Sequence, residues 1–458
     1  MATWNAMNLE GWGRTPVIPA EVARPESAAA AQDLLVATRE AGLPLLAHGL
    51  GRSYGDAALI RDGRVILTRR LDRLIDFDAE TGWLRAEAGV SIETILEVFV
   101  PRGFFPPVTP GTKFVTLGGA LACDVHGKNH HQDVCISNHI RSFDLLIASG
   151  EIITVTRETE PDIFGATAGG MGLTGIILAV EIKLTPIASP LISMESVRVN
   201  NLDEFFQVSG ESGDFTHTVS WIDCLASGRS LGRGIFMRGR HAEASGVAPP
   251  SLLARAKNAV APFLSVPVDG PSGLLNRTTV GAFNEVFFRK HKGGLVKSTP
   301  HFEPFFYPLD AIGDWNRIYG PRGFYQYQMV LPPEADNRAL RATLDAISRS
   351  GMASFLAVIK EFGVQINPGL SFPRPGVTLA LDFANHGAAL EDLFLRLDAI
   401  TLEAGGRVYL CKDARLPRDT FRRMYPEWEA WKAVRDRLDP HHLFQSELGR
   451  RLGLSGAN

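Results

Sequence analysis

Cysteine is scarce in this chain. Its 458 residues include four, Cys123, Cys135, Cys224 and Cys411, with neither a C-x-x-C spacing nor the Cys/His pattern of a zinc site. The expectation is four reduced thiols in a reducing compartment, hence a cytoplasmic protein. An excess of one charge is also missing. The 47 Lys and Arg against 50 Asp and Glu leave a net charge of -3, so bulk electrostatics give no reason to expect nucleic acid as a partner. No stretch of about 18 uninterrupted apolar residues occurs, which speaks against a transmembrane helix. The opening MATWNAMNLEGWGRTP lacks the basic and apolar regions of a secretory signal. No repeat of fixed period is found.

What the chain has is size, apolar residues and glycine. Its length exceeds what one core usually supports, so two domains are expected, with room for a third. The 45 glycines gather in the first 180 residues, which favours a ligand-wrapping region there.

In the first third, 43–50, 64–68 and 83–90 read as strands. Residues 91–103 read as a helix capped by Ser91, with Thr94 and Glu97 on its polar side. A hairpin over 143–156 turns at Ser149-Gly150, and 173–186 is strand-like. From about 190 to 405 the strands lengthen and fill with aromatics, as in 302–310 and 324–332. Helical spacing over 334–351 and 388–406 ends in glycine each time, which suggests a sheet covered on one side. Residues 246–275, rich in Ala, Pro, Ser and Gly, read as an insertion.

Three glycine-rich loops adjoin strands: GLGRSYGD at 49–56, PGT with TLGGA at 110–120, and AGGMGLTG at 168–175. Each can present backbone N–H groups to a phosphate, and each alone also fits a tight turn. None is the G-x-G-x-x-G that opens a long helix, so a Rossmann domain is disfavoured. The run TPGTKFVTLGGALACDVHGKNHH (109–131) adds His126, Lys128, His130 and His131, and reads as the wall of a phosphate-bearing cofactor with its reactive end nearby. Metal binding through His126, His130 and His131 lacks a fourth ligand.

In this order, together with the closing DPHHLFQSELGRRL (439–452), these loops make the chain resemble the vanillyl-alcohol-oxidase-type flavoproteins, whose FAD-binding domain is called the PCMH type. HGKNHH, GWGRT (11–15), FYQYQ (324–328) and CKD (411–413) further resemble the decaprenylphosphoryl-β-D-ribose 2-oxidase subfamily, the flavin half of a 2′-epimerase serving cell-wall arabinan. The resemblance spans nearly the whole chain. It implies an α+β fold in which residues 1–190 and 406–458 form a two-part FAD domain. A substrate-binding domain, 191–405, is inserted between them, its sheet covered by helices.

The same resemblance implies that Gly51, Arg52, Ser53, Tyr54 and Gly55, with Gly118, Gly119 and Ala120, line the FAD diphosphate. It places Gly111, Thr112, Cys123, Asp124, Gly127, Asn129, Gly175, Ile177 and Tyr409 around the rest of the cofactor. Many relatives attach the flavin through a His or Cys, but the corresponding turn position in GLGRSYGD is not histidine, so non-covalent FAD is implied. Lys412 matches the subfamily's catalytic lysine, with His126 and Tyr54 beside it, and Lys128, Trp221, Tyr307, Gln326, Gln328, Lys360 and Thr378 face the substrate. No metal is implied. Mycobacterial-type members carry a cysteine on the strand where this chain has Ala380, which removes the thiol that nitroaromatic inhibitors trap.

The implied reaction oxidises the 2-hydroxyl of a polyprenyl-phosphoryl ribose to a keto sugar. Its partners are that lipid-linked sugar, an NAD(P)H-dependent reductase that completes the epimerisation, and the membrane periphery, where 246–275 and FFRKHKGG (287–294) would sit. An aldonolactone or sugar-alcohol oxidase using oxygen is the alternative, and a colourless nucleotide- or lipid-binding scaffold is a third reading. Read as residues alone, Lys412 is either a base, a cation facing developing charge, or an ion-pair partner of Asp413, Asp382 or Glu361. Gln326 and Gln328, two apart, share one sheet face and suit sugar hydroxyls. Trp221, Phe355 and Phe362 read first as plain core, with a pocket cover or a lipid contact as the other reading.

Overall fold

The computed structural model describes residues 3–243, 264–271, 273–333 and 336–456. It is an α+β protein built on three main sheets. The first has strand order Asn5–Glu10, Val17–Ala23, Arg64–Leu67, Leu45–His48. Its last three strands run parallel, joined through helix Ala28–Glu40, whose first turn is capped by Ser27 accepting from Ala30 N–H. The second sheet is antiparallel, in the order Leu74–Phe77, Trp83–Glu87, Ile176–Lys183, Ile140–Leu146, Ile152–Thr156.

The third sheet has eight strands, ordered Leu295–Ser298, Ile192–Val199, Gly234–His241, His217–Ile222, Ala357–Phe362, Gly376–Ala384, Phe324–Leu331, Arg407–Val408. Side chains alternate between its faces. Met329, Leu331, Leu379, Leu381 and Ile359 pack into one core with Leu344, Ile347, Phe394 and Leu397 of helices Asp336–Ser350 and Ala388–Glu403. The opposite parity, Gln326 and Gln328, Val358 and Lys360, Thr378 and Ala380, faces a large cavity. The period of two thus separates a dry face from a working face.

The distant ends of the chain close on each other. Leu45 N–H donates to Leu443 O, and Gln445 N–H to Leu45 O. Arg451 pairs with both Asp56 and Asp413, at 2.9 and 3.0 Å. Tyr54 N–H donates to Cys411 O at 3.1 Å.

Three expectations need correction. Residues 302–306 form a helix, not a strand. Phe302, Phe305 and Phe306 sit at helical spacing and are all buried, and Pro304 is tolerated in a first turn. Tyr307, which ends that helix, is therefore not a strand residue. Cys123 and Cys411 form a disulfide, whereas Cys135 and Cys224 are free and buried. Folding brings the two Cα atoms to 6.1 Å across 288 positions, within bridging range. The argument for a reducing compartment from four thiols falls with that pair. Residues 246–263 and 272 of the expected insertion lie outside the described residues.

Candidate active site

One cavity of about 900 Å³ lies between the glycine loops and the working face of the large sheet. Its first wall is mostly backbone. Gly51 takes a left-handed conformation (φ +66°) that lets the turn after strand Leu45–His48 bend back. Gly118 lies so close to Ala88 that a Cβ would stand 2.9 Å from the Ala88 Cβ. Arg52 also lines this wall, its guanidinium 3.9 Å from the Trp12 ring centre and its Nε donating to Phe114 O. His48 binds the Gly49 carbonyl region through Nδ1, while its buried Nε2 has no partner. Burial lowers the His48 pKa to about 4. Close backbone, a guanidinium with no ion pair among the described residues and an orphaned imidazole nitrogen fit a phosphate-bearing, polar-edged cofactor such as FAD.

The second wall is rich in side chains. Gln328 Nε2 lies 3.0 Å from His126 Nε2 and 3.3 Å from Thr378 Oγ1. Lys360 Nζ lies 3.3 Å from His126 Nδ1 and 3.4 Å from Gly127 O, and Lys128 Nζ donates to Phe306 O at 3.2 Å. Lys412 sits over the Tyr54 ring at 4.0 Å. None of the three lysines forms an ion pair among the described residues. Burial pulls Lys128 and Lys412 down to about 8. Lys360 falls to about 7 through burial and the neighbouring charges of Lys128 and Lys412. Burial and the surrounding cations keep His126 neutral, far below its ordinary range.

Behind this wall Asp382 is fully buried and accepts from Gln326 Nε2 at 2.5 Å. Burial raises its pKa to about 7, opposed by Gln326 and Lys412. At the far end the cavity turns aromatic. Trp221, Phe283, Phe287 and Phe355 line it, with Phe287 edge-on to Trp221 at 4.7 Å and Trp221 Nε1 donating to Phe355 O.

Most of the residues singled out from the sequence meet here. Gly51, Arg52, Ser53, Tyr54, Gly111, Thr112, Gly118, Gly119, Ala120, Cys123, Gly127, Gly175, Ile177 and Tyr409 line the cavity, as do His126, Lys128, Trp221, Gln326, Gln328, Lys360, Thr378 and Lys412. Four others stand behind the lining. Gly55 packs against the Asp413 carbonyl. Asp124 accepts from Asn367 and Ser371, Asn129 donates to Pro107 O, and the Tyr307 hydroxyl meets Thr109 Oγ1 at 2.6 Å. Phe362 is not in the lining; it packs on His126 and His130. Among the described residues no group of three or more His, Cys, Asp or Glu is placed to hold a metal.

Sequence reasoning missed His48, and it missed Phe283 and Phe287. The last two carried a signal: in helix Arg277–Lys290, Val280, Asn284 and Phe288 form the buried stripe, leaving Phe283 and Phe287 on a second face four residues apart.

Comparison with known proteins fits this geometry. A family model for an FAD binding domain matches residues 19–156, and one for D-arabinono-1,4-lactone oxidase matches 377–452. The chain is 38% identical over 452 residues to decaprenylphosphoryl-beta-D-ribose oxidase of Mycolicibacterium smegmatis, covering 97% of each chain. It is 24% identical over 456 residues to L-gulono-1,4-lactone dehydrogenase of Mycobacterium tuberculosis, covering 96% of this chain and 97% of that one. With cytokinin dehydrogenase 3 of Arabidopsis thaliana it shares 29% identity over 183 residues, 37% of this chain and 34% of that one. A glycine-walled cavity faced by histidine and lysines, and a full-length match to one oxidase, lead to one conclusion: the chain is an FAD-dependent oxidoreductase that belongs to the decaprenylphosphoryl-ribose oxidase family.

Proposed function

We propose that the enzyme oxidises the 2-hydroxyl of a polyprenyl-phosphoryl ribose to the 2-keto sugar. The observation that carries this reading is the pairing of two features in one cavity. Lys128, Lys360 and Lys412 converge without a carboxylate ion-pair partner among the described residues, and the same space ends in Trp221, Phe283, Phe287 and Phe355. Unpaired buried cations suit a phosphoryl group, and the aromatic end suits a prenyl chain. A neutral, soluble lactone or polyol needs neither.

Bound FAD supplies the hydride acceptor for alcohol oxidation. We place its diphosphate along residues 51–55 and 118–120 and hold it non-covalently, since the GLGRSYGD turn offers no histidine for attachment. Gln326 and Gln328 then present amides to the sugar hydroxyls, while Lys128 meets the phosphoryl end. Lys412 faces the oxygen at which negative charge develops, and Tyr54 holds its ammonium by cation–π contact. We divide the chain accordingly, with 1–190 and 406–458 around the flavin and 191–405 around the substrate.

The 2-keto product calls for an NAD(P)H-dependent reductase to complete epimerisation. A lipid-linked substrate also brings the enzyme to a membrane surface. No helix among the described residues is long and apolar enough to cross a bilayer. Phe283, Val286 and Phe287 stand 46%, 69% and 37% exposed beside Arg289, Lys290 and Lys292, a combination suited to peripheral contact on the cytoplasmic face.

The test is the anaerobic visible spectrum of the holoenzyme before and after adding farnesylphosphoryl-β-D-ribose. Bleaching of the oxidised flavin band is expected. An unbleached band with this compound, but bleaching and peroxide release with a soluble lactone or sugar alcohol, would transfer the assignment to the aldonolactone-oxidase type.

A further inference from the structure

The hydrogen bonds around His126 fix where its single proton lies. Thr378 Oγ1 donates to the Met329 carbonyl at 2.9 Å, so it accepts from Gln328 Nε2. That sets the Gln328 amide with its nitrogen toward the imidazole, and His126 Nε2, 3.0 Å away, must accept. A neutral imidazole carries one N–H, which here is on Nδ1. Nδ1 faces Lys360 Nζ at 3.3 Å. The Gly127 carbonyl is also within reach of this imidazole, and a lone pair on Lys360 accepts the N–H where an ammonium would oppose it donor to donor. A free amine still has N–H to give to Gly127 O.

Lys412 has the opposite surroundings. It lies over the face of Tyr54, whose π-electrons favour a cation, and beyond it stands Asp382, with Oδ1 bound by Gln326 and Oδ2 without a partner. We propose that the two lysines hold opposite protonation states in the working enzyme: Lys360 is the free amine that takes the substrate's hydroxyl proton, and Lys412 is the ammonium that steadies the oxygen. Asp382 is the positioning residue that keeps Lys412 charged.

In the reaction the O–H bond breaks and its proton passes to Lys360 Nζ. The C–H bond breaks with its electron pair, which leaves as hydride to oxidised FAD, and the O–H electrons form the C=O bond. The groups facing Lys360 are His126, His130, Lys128 and Lys412; those facing Lys412 are Asp382, Tyr54, Lys360 and His126. Their balance agrees with the hydrogen bonds. Every charged neighbour of Lys360 is a cation, and its pKa falls to about 7, whereas Asp382 pulls Lys412 upward against burial to about 8. This assignment rests on reading the site as an alcohol oxidase.

Two measurements test it. The first titrates the holoenzyme labelled with 13Cε-lysine by NMR, assigning signals with K360R and K412R. Lys360 is expected to lose its charge at lower pH than Lys412, and in D382N the Lys412 transition is expected to move down by about one pH unit or more. The reverse order, or an unmoved Lys412, overturns the proposal. The second follows anaerobic flavin reduction against pH with farnesylphosphoryl ribose. K360Q should slow it about 10²–10⁴-fold and erase the rise in rate through neutral pH, while K412Q should slow it and keep that rise. K360Q with an intact rise and rate also overturns the proposal. If K360Q does not fold, the wild-type titration decides. A substrate that never bleaches the flavin counts against the proposed function, and the NMR order still judges the lysines.

Discussion

The two walls of the cavity are made of different material. The glycine wall works through main chain and close approach: Gly118 against Ala88, Gly51 in a left-handed turn, one guanidinium and one orphaned imidazole. The sheet wall works through side chains: Gln326, Gln328 and Lys360 on strands far apart in sequence, joined by His126, Lys128 and Lys412 from neighbouring loops. On the proposed function, one wall holds the flavin and the other acts on the sugar. Damage to the first should therefore appear as lost colour, and damage to the second as lost turnover in a protein that stays yellow.

The largest effect belongs to the sheet wall. Lys412→Met should lower the rate of flavin reduction about 10²–10³-fold, as removal of a charge-stabilising donor does, with flavin content unchanged in the visible spectrum. Loss of flavin in this variant would break the contrast between the walls. On the other side, Gly118→Val drives a side chain into Ala88. Overpacking of this kind costs about 1–3 kcal/mol, and flavin retained on gel filtration should fall correspondingly, by about ten- to hundredfold in affinity. Full retention would mean that helix Leu117–Ala122 is not part of the cofactor wall.

Between the walls runs the Cys123–Cys411 bridge. Cys411→Ser should lower stability to denaturant by about 2–4 kcal/mol without altering the rate per bound flavin; an unchanged midpoint would show that the bridge adds nothing to the clamp. A last effect, of pH, involves His48 in the glycine wall and His130 behind the other wall. His48 and His130 have folded-state pKa values near about 4 and about 3, below the ordinary 6.5, because burial disfavours their charged forms. The unfolded chain therefore binds protons that the native protein refuses. Their contribution is complete above pH 6.5 and declines as pH falls through the window to the folded values, by up to about 1.4 kcal/mol per pH unit for each histidine. Thermal unfolding followed across that window should show the decline, and His48→Gln should flatten it.

The contrast also explains what could be read from the sequence. A wall made of backbone is encoded in short contiguous runs, so GLGRSYGD, TLGGA and the loop ending at Gly175 were visible as letters. The strand parity that puts Gln326 beside Gln328 was equally legible. Asp382 was named only as one ion-pair partner among three, because nothing in VTLALDF says that Gln326 stands opposite it in register. The disulfide was invisible for the same reason, its halves being 288 positions apart. The strand expected over 302–310 failed because Phe302, Phe305 and Phe306 fit a helical face as well as an aromatic strand.

Arg451 reaches back to Asp56 over 395 positions and also holds Asp413. Synthesis therefore delivers the glycine turn long before the residue that clamps it. A nascent chain emerging from the ribosome carries an open cradle until residue 451 has followed it out. A stop codon anywhere before position 451 should then yield a pale protein, however well its sheets have formed.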